Sequence, residues 1–429
     1  MMKLKTMAMN AVIVSILIAC TSIKEEVEKR SSAQPIHKGY SATADRYDVD
    51  GKIISNVDIT APLWNPRGKT KEQIVERAMY LAGEYDLKET DAQKARAAEA
   101  KEKYLDAIVI NAVMPGAVEL AGLNEESYAK GLIRNRDAGM TLTSTTAFAF
   151  LGDSKTPLFE RMAKSTAVLK ALDMLLVKAT STIRQAKKDG KLAVMFNSQG
   201  AGYVIDDMSM VGKVKKQGLH IANFTYNRNN ALAGGSEMQD MGVTELGREF
   251  IKEANAKGVI VDVSHSSNQA ALDAAKYTTK PIVASHSNSY ALHPVSRNMP
   301  DEVMKAIGNT GGVICTTGAG LFINEELIPT GEAVAEHVVH TANLIGRDRT
   351  CFSTDYVHSI LDYYSGFLSN VEVYPPEKGF GAPSANMGPE HIWSVVAVLE
   401  DKYRWNEKEI RGFLGENLMH VYETNWSDQ

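Results

Sequence analysis

The sequence predicts an α/β fold, a (β/α)₈ barrel of the TIM type preceded by an N-terminal helical extension. Eight short apolar runs between residues 107 and 356 alternate with segments that have helical patterning. Strands that alternate with helices pair in parallel, and eight such units are the number that closes a barrel. Several helical segments also end in Gly, a frequent residue just after a helix C-terminus.

The strands and helices can be assigned in order along the chain. The predicted strands are AIVINAV (107–113), MTLTSTTAFAF (140–150), KLAVMFNSQ (191–199), HIANFTYN (220–227), GVIVDVSH (258–265), PIVASHS (281–287), GGVICTT (311–317) and RTCFSTDY (349–356). The helix candidates between them include STAVLKALDMLLVKATSTIRQAKKDG (165–190), TELGREFIKEANAKG (244–258), NQAALDAAKYT (268–278), PDEVMKAIGNTG (300–311) and AVAEHVVHTANLIG (333–346).

An open, doubly wound sheet is the competing architecture. Such a sheet usually carries a Gly-rich phosphate-binding turn after its first strand. The segment INAVMPGAVELAG, residues 110–122, lacks that pattern, and this favours the barrel.

The N-terminus has the features of an export signal. Lys3 and Lys5 precede an apolar run over residues 7–19, which is too short for a stable membrane span. The run ends in LIAC, residues 17–20, which resembles a bacterial lipobox in which Cys20 becomes the lipidated first residue. An ordinary signal peptide with a chance cysteine is the alternative. We expect a protein anchored by lipid in the bacterial cell envelope, at the outer membrane or periplasm if the bacterium has two membranes.

The chain then divides into four segments. Residues 1–19 are the predicted lipoprotein signal peptide, and the polar residues 20–45 form a tether with little core. Residues 46–105 are the N-terminal extension, and residues 106–425 are the predicted barrel.

The composition excludes some classes of partner. The formal net charge is −5, so no basic field exists for binding nucleic acid. The chain has 3 cysteines, which suggest neither a disulfide framework nor a thiolate metal site. The oligomeric state is left open, and an oligomer is compatible with the sequence.

Two histidines follow neighbouring strands at equivalent places. His265 ends VIVDVSHSS, residues 259–267, and His286 ends PIVASHSNS, residues 281–289. Neutral imidazole is a good zinc ligand, and side chains that follow barrel strands converge at the carboxyl end of the barrel. In the alternative interpretation each histidine is structural, and the flanking serines cap the next helix.

An arginine and an aspartate are predicted at the same end of the barrel. Arg297 lies in HPVSRNMPDE, residues 293–302, and guanidinium groups bind carboxylates through two hydrogen bonds. A solvated loop arginine is the alternative. Asp355 lies in CFSTDYVHS, residues 351–359, where a carboxylate can serve as a metal ligand, an acid or base, or an amine-binding group.

Several long segments resemble the membrane (renal) dipeptidase family of amidohydrolase-type metallopeptidases. The most specific one runs from GREFIKEANAKGVIVDVSHSS to PIVASHSNSYALHPVSRNMPDEVMKAIGNTGGVI. The segments YNRNNALAGG (226–235), HVVHTANLIGRDRTCFSTDY (337–356) and IRGFLGENLMHVYE (410–423) resemble the family in the same order. The resemblance implies dipeptide hydrolysis at a binuclear zinc site that activates a bridging hydroxide.

The resemblance also implies roles for individual residues. His265 and His286 match two histidines that ligate zinc, and Arg297 matches the arginine that binds the dipeptide carboxylate. Asp355 matches the aspartate that receives the amino group and assists proton transfer. Each of these roles is an expectation at this stage.

Other positions depart from the family pattern. The first strand of the family ends in His-x-Asp, where this chain has Val113 and Pro115. The bridging Glu falls on Gln199, and a further active-site His falls on Tyr226. We therefore expect at most one zinc ion, or none. Loop residues that are candidate replacement ligands, or simply solvated charges, are Asp206, Asp207, Glu237, Asp240 and His358.

Three functions remain compatible with these residues. The first is a membrane-dipeptidase-like hydrolase that acts on dipeptides or an amino-acid-like substrate at the cell envelope. The second is a zinc-free enzyme in which Tyr226, His265, His286 and Asp355 perform acid–base chemistry. The third is a non-catalytic barrel that binds a small peptide or amino-acid-like ligand. The expected substrate-binding residues are Gln199, Tyr226, Arg297 and Asp355, and Asp355 is also the expected catalytic residue.

Overall fold

The computed structural model describes residues 44–47, 53–57, 66–83, 85–114, 116–120, 123–149, 157–238, 241–374, 380–381 and 384–426. The signal peptide, Cys20, most of the tether, Pro115 and Asp240 lie outside the described residues. Interpretations that depend on them therefore stay predictions.

The described strands form an antiparallel pair and a parallel barrel. In chain order they are β1 (Ala44–Tyr47), β2 (Ile53–Val57), β3 (Ile110–Met114), β4 (Leu142–Ala149), β5 (Leu175–Leu176), β6 (Ala193–Gln199), β7 (Leu219–Asn223), β8 (Ile260–Asp262), β9 (Val283–Ala284), β10 (Val313–Thr317) and β11 (Thr350–Ser353). Strands β1 and β2 are antiparallel, and β5 pairs only with β6. The barrel order is β3-β4-β6-β7-β8-β9-β10-β11, with parallel pairing throughout. The predicted (β/α)₈ barrel is confirmed.

Polar contacts bring the last strand back to the first. The backbone N–H of Asp355 donates to the carbonyl oxygen of Val113 at 3.2 Å. The side chain of Asn111 accepts from the backbone N–H of Thr354 at 3.0 Å and donates to its hydroxyl at 2.9 Å. These bonds nearly close the barrel and hold Asp355 beside the first strand.

Helices alternate with the strands and cover the outside of the barrel. The described α-helices are α1 (Lys71–Ala82), α2 (Asp91–Lys103), α3 (Glu125–Asp137), α4 (Leu158–Ala171), α5 (Thr180–Asp189), α6 (Met210–Lys216), α7 (Glu245–Lys257), α8 (Asn268–Tyr277), α9 (Asp301–Asn309), α10 (Gly331–Ile345), α11 (Ile360–Ser369), α12 (Ile392–Asp401), α13 (Glu407–Arg411) and α14 (Asn417–Asn425). Helices α5 and α7 end at Gly190 and Gly258, both with φ of 67°, a left-handed conformation that glycine adopts without steric cost. No helix of the described residues is long and apolar enough to cross a membrane.

One predicted helix is wrong in extent. The pattern over residues 165–190 suggested a single helix, but the segment contains the end of α4, strand β5 and helix α5. The chain turns at Asp173, whose φ is 55°, and Leu175 and Leu176 then pair with β6. In a short apolar run, periodicity alone does not distinguish a strand and a helix end from part of a continuous helix.

The barrel interior and its amino-terminal end are filled with apolar side chains. Ile110, Leu142, Met195 and Ile221 belong to one buried cluster inside the barrel. The C-terminal helix α14 contributes further side chains to that cluster, and Asn425 donates to the carbonyl oxygen that precedes β9 at 3.1 Å. Because α14 covers the amino-terminal end, the carboxyl ends of the strands form the accessible mouth.

The N-terminal extension contains helices, as predicted, together with the unpredicted pair β1–β2. Helix α1 packs against α11, with Ala78 and Leu81 buried against Tyr364 and Leu368. Helix α2 packs against α12, and Arg96 donates to Asp401 at 2.9 Å. Helices α1 and α2 therefore lie outside the barrel, against helices that belong to its last units.

A disulfide joins two barrel strands, so the interpretation of the cysteines was wrong on this point. Cys315 of β10 and Cys351 of β11 are directly opposite in the strand register, and both are fully buried. The two residues are 36 positions apart in the chain, and only the register of the parallel strands shows that they meet.

Candidate active site

The predicted site residues follow the carboxyl ends of the strands. His265 comes three residues after β8, His286 two residues after β9, and Asp355 two residues after β11. Arg297 lies in the loop between β9 and α9. The barrel therefore brings all four residues to one mouth, as the sequence predicts.

The two histidines contact each other directly. The Nε2 atoms of His265 and His286 are 2.7 Å apart, and the ring centroids are 4.7 Å apart. His265 is 4% exposed and His286 is 0% exposed. Burial lowers the pKa of both imidazoles well below the usual value, and the nearby guanidinium of Arg297 lowers both further. Each imidazole therefore resists taking up a positive charge.

The other nitrogen of each imidazole also has a polar partner. Nδ1 of His265 is 2.6 Å from the amide oxygen of Asn227, and Nδ1 of His286 is 2.7 Å from the hydroxyl of Ser285. The Ser285 hydroxyl in turn bonds to the carboxyl group of Asp262. Burial raises the pKa of Asp262. A continuous chain of polar contacts thus runs from Asp262 to Asn227 through both histidines.

Three residues of the site have left-handed backbone conformations. Asn227, His265 and Asp355 have φ of 59°, 64° and 51°. Residues other than glycine rarely adopt such angles, and each one costs of order 1–3 kcal/mol unless surrounding contacts enforce it. Backbone strain at the mouth is therefore located at residues whose polar side chains form the site.

Arg297 is buried with few partners. It is 4% exposed, and Nη2 donates at 3.4 Å both to the carbonyl oxygen of His286 and to Nε2 of His265. Its guanidinium carbon lies 5.3 Å from the ring centroid of Phe322. Burial lowers the pKa of Arg297, and the attraction of Asp355 opposes this. Among the described residues, no carboxylate forms an ion pair with the guanidinium, which leaves donors available for a ligand.

Asp355 is half-buried, and its carboxyl group has no hydrogen-bond partner among the described residues. Burial raises the pKa of Asp355 to about 7, and the charge of Arg297 partly opposes the shift. The carboxyl group also acts electrostatically on several phenols. These are Tyr85, Tyr226, Tyr363 and Tyr374.

Aromatic side chains form one wall of the mouth. Tyr226 stacks on His265, and its hydroxyl is 2.9 Å from that of Tyr374. Tyr374 stacks on Phe367 of α11, and Phe380 packs against both. Burial raises the pKa of Tyr226 to about 12, so the phenol keeps its proton at neutral pH. The segment after β11 therefore places an apolar wall beside the imidazole pair.

Comparison with known proteins identifies the family. The family model for membrane dipeptidase (peptidase family M19) matches residues 86–376, more than half of the chain. The chain belongs to the membrane dipeptidase family. Family membership agrees with the order of the site residues along the barrel, and it indicates a hydrolase of the dipeptidase type.

Solved structures support the fold. An amidohydrolase from Pseudomonas aeruginosa has a TM-score of 0.68 at 23% identity, over 77% of this chain and 99% of that one. The probable dipeptidase PvdM from Pseudomonas aeruginosa has a TM-score of 0.61 at 17% identity, over 77% and 98%. A metallopeptidase from Rhodobacter sphaeroides has a TM-score of 0.56 at 18% identity, over 75% and 100%. At these identities the similarity concerns the fold alone.

The residues present do not fit the binuclear zinc site that is typical of the family. Val113 has an apolar side chain and is 1% exposed. Gln199 is buried, and its amide nitrogen donates to the hydroxyl of Thr146 at 3.1 Å. A binuclear site needs a bridging anionic group and several nitrogen or oxygen donors. Within the described residues, no three His, Cys, Asp or Glu side chains come together to hold a metal ion.

The candidate replacement ligands do not complete a metal site with the two histidines. Asp206 and Asp207 are exposed, and Asp207 bonds to Lys213 at 2.8 Å. Glu237 accepts from Ser296 at 2.7 Å. The remaining described candidate is His358, whose pKa burial lowers to about 4.

Sequence reasoning missed the residues that hold the imidazoles. These are Asn227, Asp262 and Ser285, which contact His265 or His286 directly or through one another. A usable signal was present, because Asp262 interrupts the apolar run VIVDV at a position predicted to be buried. A buried carboxyl group needs polar partners, and the serines at the strand ends were the nearest ones.

Proposed function

We propose that this chain recognises a dipeptide, or a related amino-acid-like ligand, and acts on it as a dipeptidase-like hydrolase at the bacterial cell envelope. The observation that carries the proposal is the pair of Arg297 and Asp355. Both lie at the same mouth and attract each other electrostatically, yet they form no ion pair. Each keeps its charge-bearing group available for a ligand.

A zwitterion matches this arrangement. The guanidinium of Arg297 would bind a ligand carboxylate through two hydrogen bonds, and the carboxylate of Asp355 would bind an ammonium group. Such charge-assisted bonds contribute roughly 1.5–3 kcal/mol each in a partly dry site. The Rhodobacter sphaeroides metallopeptidase carries a phosphinate mimic of the dipeptide L-Ala-D-Ala, and this supports a ligand of the same kind here.

The chain's own residues supply several parts of the chemistry. Arg297 orients the ligand, and the aromatic wall with Tyr226 and Tyr374 excludes water from one side of it. Asp355 has a pKa of about 7, so it can accept or donate a proton near neutral pH. Gln199 is buried among the barrel side chains and offers an amide, not a carboxylate. Hydrolysis by the zinc-activated hydroxide of the family is not part of the proposal, because the donor set does not fit it.

Recognition without turnover is the second candidate function. The replacement of the family's bridging carboxylate by Gln199 favours it, since an uncharged amide is a poor bridge for the two zinc ions that would activate a water molecule. Under this function the barrel binds a peptide or amino-acid-like ligand and releases it unchanged. Both functions require the same contacts at Arg297 and Asp355.

Location at the cell envelope forms part of the proposal. The basic and apolar leader that ends at Cys20 supports export and lipid anchoring, at the outer membrane or periplasm in a bacterium with two membranes.

Calorimetric titration with a dipeptide panel tests the proposal. The panel includes L-Ala-D-Ala, and the proteins are the wild type, Arg297→Ala and Asp355→Asn. We expect each variant to bind at least about tenfold more weakly, because 1.4 kcal/mol corresponds to a factor of ten. Arg349→Ala is the matched control, because it removes a half-buried arginine just before β11, at the end of the strand away from the mouth.

Melting temperatures and product analysis complete the experiment. Lower melting temperatures with unchanged affinities would show that Arg297 and Asp355 only stabilise the mouth, and would overturn the proposal. Release of free amino acids by the wild type supports the hydrolase. Binding without release supports recognition alone.

A further inference from the structure

We propose that His265 and His286 form a directly hydrogen-bonded imidazole pair that does not chelate a metal ion, and that Asn227 and the Ser285–Asp262 unit position this pair. The proposal concerns the centre of the site. It does not depend on the identity of the ligand or on whether the ligand is hydrolysed.

The distance between the ring nitrogens matches a hydrogen bond. The two Nε2 atoms are 2.7 Å apart, which is within the range of a hydrogen bond. Zinc binds imidazole nitrogen at about 2.0–2.1 Å in tetrahedral geometry, so two such ligands of one ion lie about 3.3 Å apart. A hydrogen atom fits between these nitrogens, whereas a zinc ion would need the rings to separate.

The polar chain needs a definite number of hydrogens. Asp262, Ser285, His286, His265 and Asn227 make four successive contacts, and each contact needs one hydrogen. The amide oxygen of Asn227 only accepts, so the chain is complete when the other four groups carry four hydrogens in total. The group as a whole is then electrically neutral. One fewer hydrogen would leave two lone pairs facing each other inside the protein.

Each ring is also held in position through its Nδ1 atom, on the side away from the other ring. Asn227 also accepts from the hydroxyl of Ser236 at 3.3 Å, and this fixes its oxygen toward His265. Asp262 accepts from the backbone N–H groups of Ser264 at 2.9 Å and Ser285 at 3.1 Å. Both ends of the chain are therefore anchored to the barrel. Hydrogen bonds to the outer nitrogen of a histidine set its tautomer and its ring orientation.

These contacts assign functions to residues that the sequence pattern did not single out. Asn227, Ser285 and Asp262 are positioning residues, because they act on a ligand only through the imidazoles. With each Nε2 directed at the other ring, the pair presents a fixed surface beside Arg297. Ligand binding at this mouth is then independent of divalent metal ions.

Nitrogen-15 NMR of histidine-labelled protein tests the pair directly. In the wild type we expect a hydrogen-bonded Nε2–H signal from one of the two rings, unchanged by a chelator or by one equivalent of zinc. Asn227→Ala should shift the ring-nitrogen signals of His265. Asn230→Ala is the control, because it removes an asparagine of the same loop that caps Leu232 and Ala233 but does not touch the rings. Signals that move equally in both variants would reject the positioning function of Asn227.

Zinc titration gives the second readout. We expect the wild type, His265→Gln and His420→Gln to have zinc affinities within about twofold of one another, since the pair provides no metal site. His420 is exposed on α14 and serves as the control. Zinc binding that falls tenfold or more in His265→Gln but not in His420→Gln would overturn the proposal. If His265→Gln does not fold, loss of the wild-type Nε2–H signal on addition of one equivalent of zinc would by itself overturn the proposal.

Discussion

The phenol ring of Tyr226 lies against the imidazole of His265, with ring centroids 4.1 Å apart and ring planes inclined by 26°. The resemblance places a further active-site histidine of the family at this position. Here the tyrosine hydroxyl is held by Tyr374 at 2.9 Å. The substitution therefore exchanges a nitrogen donor for a ring that joins an aromatic wall, and it changes both the metal chemistry and the shape of the mouth.

Metal analysis of the purified protein should find less than one zinc ion per chain after dialysis against a mild chelator. Structural zinc affinities of order 10 kcal/mol need about four good ligands, whereas only His265 and His286 match histidine ligands of the family, and their Nε2 atoms face each other. Gln199→Glu combined with Tyr226→His adds a carboxylate and an imidazole at family positions and should raise the retained zinc. One or more zinc ions retained per chain by the wild type would contradict this prediction.

Ligand affinity should increase as the pH rises through about 7. The pKa of Asp355 is about 7, and only its ionised form attracts an ammonium group. Calorimetric titration of a dipeptide between pH 5.5 and 8 measures the effect, with the ligand amine largely protonated over most of that range. An N-acetylated dipeptide has no ammonium group and is the control, for which we expect no such rise. A flat profile for the free dipeptide would remove Asp355 from amine binding.

Asp355→Asn should raise the free energy of unfolding at pH 8 but not at pH 4. The folded-state pKa of Asp355 is raised from its usual value to about 7. The stabilisation by its protonated form is complete below the unfolded-state pKa of about 4 and is lost as the pH rises through about 7. Since Asn cannot ionise, the variant avoids a loss of roughly 2 to 4 kcal/mol. Urea unfolding at both pH values measures the difference, and equal differences would argue against a buried, titrating carboxyl group.

Cys20→Ser should abolish acyl labelling and release the protein from the membrane fraction. The reason is that the thiol of Cys20 is the expected attachment point of the lipid in LIAC. Radioactive palmitate labelling and cell fractionation measure the two effects. Ser22→Ala changes a neighbouring residue outside the LIAC segment and is the control. Undiminished labelling of Cys20→Ser would show that the leader is an ordinary signal peptide.

Removal of the disulfide should destabilise the barrel by roughly 2 to 4 kcal/mol, because it releases a cross-link over 36 residues in the unfolded chain. The double variant Cys315→Ala/Cys351→Ala, compared with the wild type in urea unfolding, measures the loss. Thiol titration of denatured, unreduced protein should find neither cysteine free. Two free thiols in protein prepared from an oxidising compartment would contradict the disulfide.

The pattern of residue types along the chain is sufficient to predict the barrel and the end of it that carries the site. Alternating apolar runs and helical segments require parallel pairing, and parallel strands all end on one side. The placement of His265, His286, Arg297 and Asp355 at one mouth followed from that rule. The departures at Val113, Gln199 and Tyr226 were equally visible, since they are differences of residue type and need no geometry.

The contacts between these residues depend on tertiary packing and could not be predicted from the pattern. The 2.7 Å separation of the imidazoles depends on the rotamers of two side chains that are 21 positions apart. The contact of Asn227 with His265 depends on two left-handed backbone conformations that the local pattern does not encode. Strand register set Cys315 opposite Cys351. Periodicity specifies which face of a strand is buried, but rotamers, register and loop conformation are fixed by packing between segments that lie far apart in the chain.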